Sequence, residues 1–269
     1  MNNHIGILGC GWLGLPLAES LLKKRFRIHG STTSEEKIGM LRHKGIDAFL
    51  VSLTKKGVLG DLGGFLSGIE ILIVNIPPKL RGHKQEDYIM KMNFLLKAIQ
   101  TSDIGKVIFV SSTSVYGNLE GEVTETTIPR PSSESGSQLL AVERLFQDEL
   151  TIKATVVRFG GLIGADRHPI HHLTGKKDLE NGQDPVNLIH QNDCVRILEH
   201  IILYDWWDET FNGVYPCHPA KADYYRAEAQ KRNLQPPVYC PVKATKGKKI
   251  ASPALTNVKM FVYQTSIVT

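Results

Sequence analysis

The stretch Gly9-Cys10-Gly11-Trp12-Leu13-Gly14 constrains this chain more than any other. It follows directly on a short apolar run, His4 to Leu8, which reads as a buried strand. It leads into Leu15 to Lys24, where apolar residues recur at helical spacing and basic residues suit the helix C-terminus. Strand, glycine turn and helix in that order open a dinucleotide-binding α/β sheet. The first glycine allows the tight turn, the second lets the backbone approach a pyrophosphate, and the third permits close helix–strand packing. The helix N-terminus offers N–H groups and positive potential to the phosphates. A dinucleotide is therefore expected over Gly9, Gly11, Trp12, Leu13 and Gly14. A glycine turn without a ligand is the plain alternative, and the flanking strand and helix argue against it.

The alternation continues. Arg27 to Thr32, Ala48 to Leu53, Ile69 to Ile76, Lys106 to Ser111 and Ala154 to Arg158 read as strands. Ser34 to Gly45, Gln85 to Thr101 and Ser137 to Leu150 read as helices. Ile71-Leu72-Ile73-Val74 and Val107-Ile108-Phe109-Val110 are nearly continuous apolar runs, as in strands of a parallel sheet covered on both faces. Pro77 and Pro78 end the fourth strand, and Asn75, Ile76 and Pro77 join the candidate cofactor-binding residues. From about Ala165 the pattern loses regularity. The expectation is an α/β fold, a Rossmann-type doubly wound parallel sheet over residues 1–165. A small mixed C-terminal lobe over 166–269 would pack on it as one structural unit. No internal repeat is present.

A site specific for NAD places an acid at the end of the second strand, where it binds the ribose 2′-OH. Here that place is taken by Gly30-Ser31-Thr32-Thr33-Ser34, and Glu35 and Glu36 come slightly late. The hydroxyls of Ser31, Thr32 and Ser34 with the charge of Lys37 suit a 2′-phosphate, which favours NADP over NAD. The same residues serve equally to cap the next helix, and the two roles are compatible.

The 269 residues are 42% hydrophobic and 22% charged, enough apolar surface for a core of their own. The net charge of +5 is scattered, with its densest run at Lys243 to Lys249. It lacks the clustering of a nucleic-acid surface and suits anionic small ligands. The four cysteines have neither zinc nor disulfide spacing. The N-terminus lacks signal-peptide character, and no apolar run approaches the roughly 20 residues of a membrane span. A cytoplasmic protein acting on a small molecule, with no nucleic-acid or membrane partner, is expected.

Further motifs carry a family likeness. Val110-Ser111-Ser112-Thr113-Ser114-Val115-Tyr116-Gly117 resembles the Ser-Ser-x-x-Val-Tyr-Gly stretch of extended short-chain dehydrogenases/reductases, which include nucleotide-sugar epimerases and dehydratases. The likeness continues through Glu125 and Pro131, Val157 to Gly164, Asn187 to Asp193, Phe211 to Val214, and Gly247 to Ile250 with Asn257. The resemblance implies a Rossmann fold, NADP or NAD as cofactor and a sugar nucleotide or similar substrate. It also implies that Ser112, four residues before the motif tyrosine, hydrogen-bonds a substrate oxygen. A loop-capping role is the bland reading of Ser112, and Tyr116 reads as a packing residue.

The resemblance breaks at the Tyr-x-x-x-Lys pair on the following helix, where tyrosine exchanges a proton and lysine lowers its pKa. With Ala141-Val142-Glu143 aligned to the family helix, Ser135 falls at the tyrosine position and Leu139 at the lysine position. A serine hydroxyl without a base has too high a pKa, and leucine carries no charge. The literal Tyr239-to-Lys243 match contains Pro241, which breaks a helix. His168, His171, His172, His190 and Tyr88 remain as other proton sources. Arg167 to His172 lacks further zinc ligands and reads as a polar loop, so no metal is expected. His190 reads as structural. Two functions follow: an epimerase, dehydratase or reductase with an atypical site, or a non-catalytic NAD(P)-binding sensor or regulatory protein. A vestigial scaffold without cofactor conflicts with the intact glycine turn.

Overall fold

The computed structural model describes residues 3–78, 87–241 and 247–268. Its strands are β1 (His4–Leu8), β2 (Arg27–Thr32), β3 (Asp47–Thr54), β4 (Gly57–Gly60), β5 (Ile71–Val74), β6 (Lys106–Ser112), β7 (Gly121–Val123), β8 (Lys153–Phe159), β9 (Gly161–Ile163), β10 (Leu188–His190), β11 (Thr210–Gly213) and β12 (Lys248–Ile250). Its α-helices are α1 (Gly14–Lys23), α2 (Glu36–His43), α3 (Leu62–Leu66), α4 (Tyr88–Ile99), α5 (Glu134–Gln147), α6 (Ile170–Leu173), α7 (Gln191–Leu203) and α8 (Lys221–Lys231).

The main sheet has the order β11-β8-β6-β5-β1-β2-β3-β4. β1 pairs in parallel with β2 on one side and with β5 on the other, β2 with β3 and β5 with β6 also run parallel, and β4 is an antiparallel edge on β3. The chain moves outward from β1 to β3 and then crosses to the far side of β1. The strand order therefore reverses between β1 and β5, and open α/β sheets place ligands beyond the carboxyl ends at such a point.

The apolar runs do what their composition dictates. Ile5, Ile7, Leu72, Ile73, Val74, Val107, Ile108 and Phe109 have no exposed surface. Each such side chain stabilises the fold by about 1.5–3 kcal/mol relative to exposure. α5 begins three residues before its apolar periodicity suggests, because Ser133 Oγ accepts the Gly136 N–H at 3.2 Å and caps a polar first turn. α2 begins at Glu36 instead of Ser34, since Thr32 Oγ1 accepts the Ser34 N–H at 3.1 Å and holds that residue in the turn. α4 starts at Tyr88 with Asp87 as its cap; Gln85 and Glu86 lie outside the described residues.

By spatial clustering the chain forms two compact units. The first comprises Met1–Ser112, Ser133–Val157 and Val195–Thr210, and includes the glycine turn and α1 to α5. The second comprises Thr113–Ser132, Arg158–Cys194 and Phe211–Thr269. It contains the short parallel pairs β9–β10 and β7–β12 and a core of Ile163, Ile170, Val186, Leu188, Tyr224 and Tyr225. No helix among the described residues is long and apolar enough to cross a membrane.

Candidate functional site

Two of the three glycines of the first turn have a steric reason to lack a side chain, and the third does not. Gly9 has φ +105°, and a Cβ there would sit 2.7 Å from Asn75 O. At Gly14 a Cβ would lie 2.1 Å from Gly9 O, so helix and turn are in backbone contact. At Gly11 a Cβ would meet nothing within 4 Å. The first and third glycines are thus required by the turn itself, whereas the second faces open space. A pyrophosphate needs that arrangement in a cradle at a helix N-terminus.

The neighbouring strands hold the cradle rigid. Gly9 N–H donates to Ser31 Oγ at 2.9 Å, and Cys10 N–H to Ser31 O at 2.8 Å. Asn75 Nδ2 donates to Gly9 O at 3.1 Å, and the Tyr88 hydroxyl to Ile76 O at 2.8 Å. The Cys10 side chain turns into the core beside Gly30, and burial pushes its thiol pKa up to about 12. Of the residues expected to hold a 2′-phosphate, Ser31 and Thr32 are buried and already bonded to Gly9 and Ser34. Ser34 is half-buried and Lys37 exposed.

Ser112 ends β6 half-buried, followed by a 3₁₀ turn, Thr113–Tyr116. Ser111, one residue earlier, is buried and donates from Oγ to Glu143 Oε1 at 2.5 Å. Glu143 has no exposed surface. Ser135, Leu139 and Glu143 stand four residues apart and so share one face of α5. The Ser111–Glu143 bond turns that face toward β6. Ser135 is half-buried in the first turn and Leu139 is buried a turn later. α5 contains neither tyrosine nor lysine. The positioning role of Glu143 is missed by motif reading, although a carboxylate on the apolar side of an amphipathic helix was a usable signal.

Of the other residues expected as proton sources, Tyr88, His168 and His190 have hydrogen-bond partners. Tyr88 is buried, its N–H donates to Gln138 Oε1 at 2.8 Å, and burial raises its pKa. In the second unit, the Tyr116 hydroxyl lies 3.0 Å from Thr124 O and 2.9 Å from Asn212 Oδ1 and accepts from Arg158 at 2.9 Å. Burial raises the Tyr116 pKa against the opposing pull of Arg158. His168 is buried against Tyr224 and Glu228, and burial followed by Arg232 lowers its pKa to about 4. His171 and His172 are exposed, so the three histidines of this loop do not converge. His190 accepts the Asn192 N–H at 3.2 Å, and its pKa is lowered by burial. Tyr239 is described, and its apparent partner Lys243 lies outside the described residues.

A glycine cradle at the switch point of a mostly parallel sheet defines a Rossmann-type protein of the dinucleotide-binding kind. Residues 5–200 match the NAD dependent epimerase/dehydratase family, and the chain belongs to it. It is 31% identical over 263 residues to Protein YeeZ of Escherichia coli (strain K12), covering 97% of this chain and 95% of that protein. Its fold is similar to that of MoeE5 in complex with UDP-glucuronic acid and NAD, with TM-score 0.78 at 19% identity, covering 98% of this chain and 95% of that one. It is also similar to UDP-glucuronic acid 4-epimerase from Bacillus cereus in complex with NAD, with TM-score 0.77 at 15% identity and coverage of 98% and 92%.

Proposed function

We propose that this protein binds NAD(P) on the Gly9–Gly14 turn and acts on a sugar nucleotide or similar substrate as an epimerase, dehydratase or reductase with an atypical acid–base group. The observation that carries the reading is the cradle: two glycines sterically required, and Gly11 open to the space a pyrophosphate would fill. Family membership and the NAD and UDP-sugar complexes of its structural relatives support it. Gly9 to Gly14 and the α1 N-terminus would hold the pyrophosphate, and Asn75, Ile76 and Pro77 would border it. The nicotinamide supplies a hydride acceptor or donor when bound. Ser112 would hold a substrate oxygen. Ser135 stands where the family's tyrosine is expected and has no base at Leu139, so protonation there is weak. The division into a dinucleotide core over 1–165 and a substrate lobe over 166–269 belongs to this proposal, as does a cytoplasmic location.

NADP is the favoured cofactor. β2 ends without an acid, and the exposed Lys37 follows it with Ser34. The absence of tyrosine and lysine from α5 supports a second reading, a non-catalytic NAD(P)-binding sensor or regulator. Calorimetric titration with NADP+ and NAD+, followed by nicotinamide absorbance with a panel of UDP-sugars, separates the two. Slow turnover of a sugar nucleotide supports the enzyme; cofactor binding with no turnover supports the sensor; no cofactor binding refutes both.

A further inference from the structure

At the opposite end of the sheet from the glycine turn, the amino-terminal ends of three adjacent strands bring His4, His29 and Asp47 together. One potential ligand atom from each lies within 4.8 Å of the other two. The register makes this so. His29 pairs directly with Asp47 across β2 and β3, and Gly6 pairs with His29 across β1 and β2. His4, two residues before Gly6, therefore emerges on the same face as His29. The two imidazole rings meet edge to face, with centroids 4.1 Å apart.

Both rings are oriented from behind. His29 Nδ1 lies 2.8 Å from Phe65 O, at which it can only be the donor, so in the neutral ring Nε2 carries the lone pair. His4 is hydrogen-bonded to the backbone of Gly68, which lies on its Nδ1 side. His4 Nε2 is buried with no hydrogen-bond partner among the described residues. A buried polar nitrogen without a partner is costly. Metal-binding histidines characteristically donate one ring N–H to a backbone carbonyl and present the other nitrogen to the ion. Asp47 is exposed and supplies the compensating negative charge, while Arg27 is the opposing positive charge near His4.

We propose that His4, His29 and Asp47 form a binding site for a divalent transition-metal ion, with Zn2+ the favoured occupant. Two imidazole nitrogens and one carboxylate oxygen would bind the ion, leaving a fourth position open to water on the Asp47 side. Zinc–ligand distances of about 2.0–2.2 Å require the three atoms to draw in to about 3.3–3.5 Å from one another. Side-chain rotation of His4 and Asp47, the first residues of β1 and β3, can supply that movement. The ion would clip β1, β2 and β3 together, a role independent of what the glycine turn binds.

The test is calorimetric titration of Zn2+ into the full chain without a polyhistidine tag, alongside His4→Gln and Asp47→Asn. One ion per native chain is expected, with each substitution weakening binding by at least about tenfold. Zn2+ should also raise the unfolding temperature of the native chain and do so much less for D47N, whose exposed site keeps that variant folded. Absence of binding overturns the proposal. So does unchanged affinity in D47N, which would place the ion on other groups such as the exposed His171 and His172.

Discussion

Replacing Gly11 by leucine separates what the glycine turn does for folding from what it does for binding. A Cβ at Gly11 meets no atom within 4 Å, and Gly11 is not among the glycines with positive φ. The backbone therefore tolerates a side chain, and the change in stability should stay within about 1 kcal/mol in either direction. For a chain of this size that moves the unfolding temperature by no more than about 2–4 °C. The leucine would fill the space reserved for a pyrophosphate, so NAD(P) affinity should fall by at least about tenfold, or roughly 1.4 kcal/mol. Gly14→Ala is the control with the opposite balance. Its Cβ would lie 2.1 Å from a backbone oxygen, and overpacking of that kind costs about 1–3 kcal/mol. Thermal unfolding and cofactor titration of both variants are the assay. A folded G11L with unchanged affinity would refute the cradle assignment.

Three other perturbations test separate parts of the account. Ser135→Tyr with Leu139→Lys should raise the rate on any sugar nucleotide that the native chain turns over slowly; no gain would mean that the first turn of α5 cannot present the phenol to the substrate. Lys37→Glu should weaken NADP by about tenfold or more and leave NAD almost unchanged, whereas equal effects on both would dismiss Lys37 as the 2′-phosphate contact. The buried His168 stays neutral down to about pH 4, whereas in the unfolded chain it takes up a proton near pH 6.5. The unfolded state binds the extra proton between those values, so the His168 contribution is complete above pH 6.5 and declines as pH falls toward 4. Unfolding temperatures between pH 7 and 5 should fall less steeply in His168→Asn than in the native chain, and parallel slopes would contradict this.

The parallel core was legible because its strands are buried on both faces and so are apolar throughout, as Ile71 to Val74 and Val107 to Val110 show. The glycine turn was legible because steric demand selects glycine at Gly9 and Gly14. β4 and α3 were not. One is a four-residue antiparallel edge, and the other is five residues containing Gly63 and Gly64, too short for a periodic pattern. The three-residue strands β7, β9, β10 and β12 pair across long separations and leave no local trace. Site residues divide in the same way. Ser31 reads as a ligand group in the sequence, and in the fold its Oγ also accepts the Gly9 N–H, a second role that only the strand pairing discloses. His168, His171 and His172 drew attention as neighbours in sequence. His4, His29 and Asp47, which do converge, lie on three strands and meet only through strand register.

We propose that this chain keeps a dinucleotide cradle beside a helix without the family's acid–base pair. The pH dependence of hydride transfer to NAD(P)+ tests it most directly, measured on the native chain with a UDP-sugar. Positioned acid–base groups contribute about 100- to 10,000-fold. Cofactor binding is expected with turnover reduced by a factor of that order, and with no limb in the profile that depends on a tyrosine. Rapid turnover whose pH dependence disappears on substituting Tyr88 or Tyr116 would contradict it.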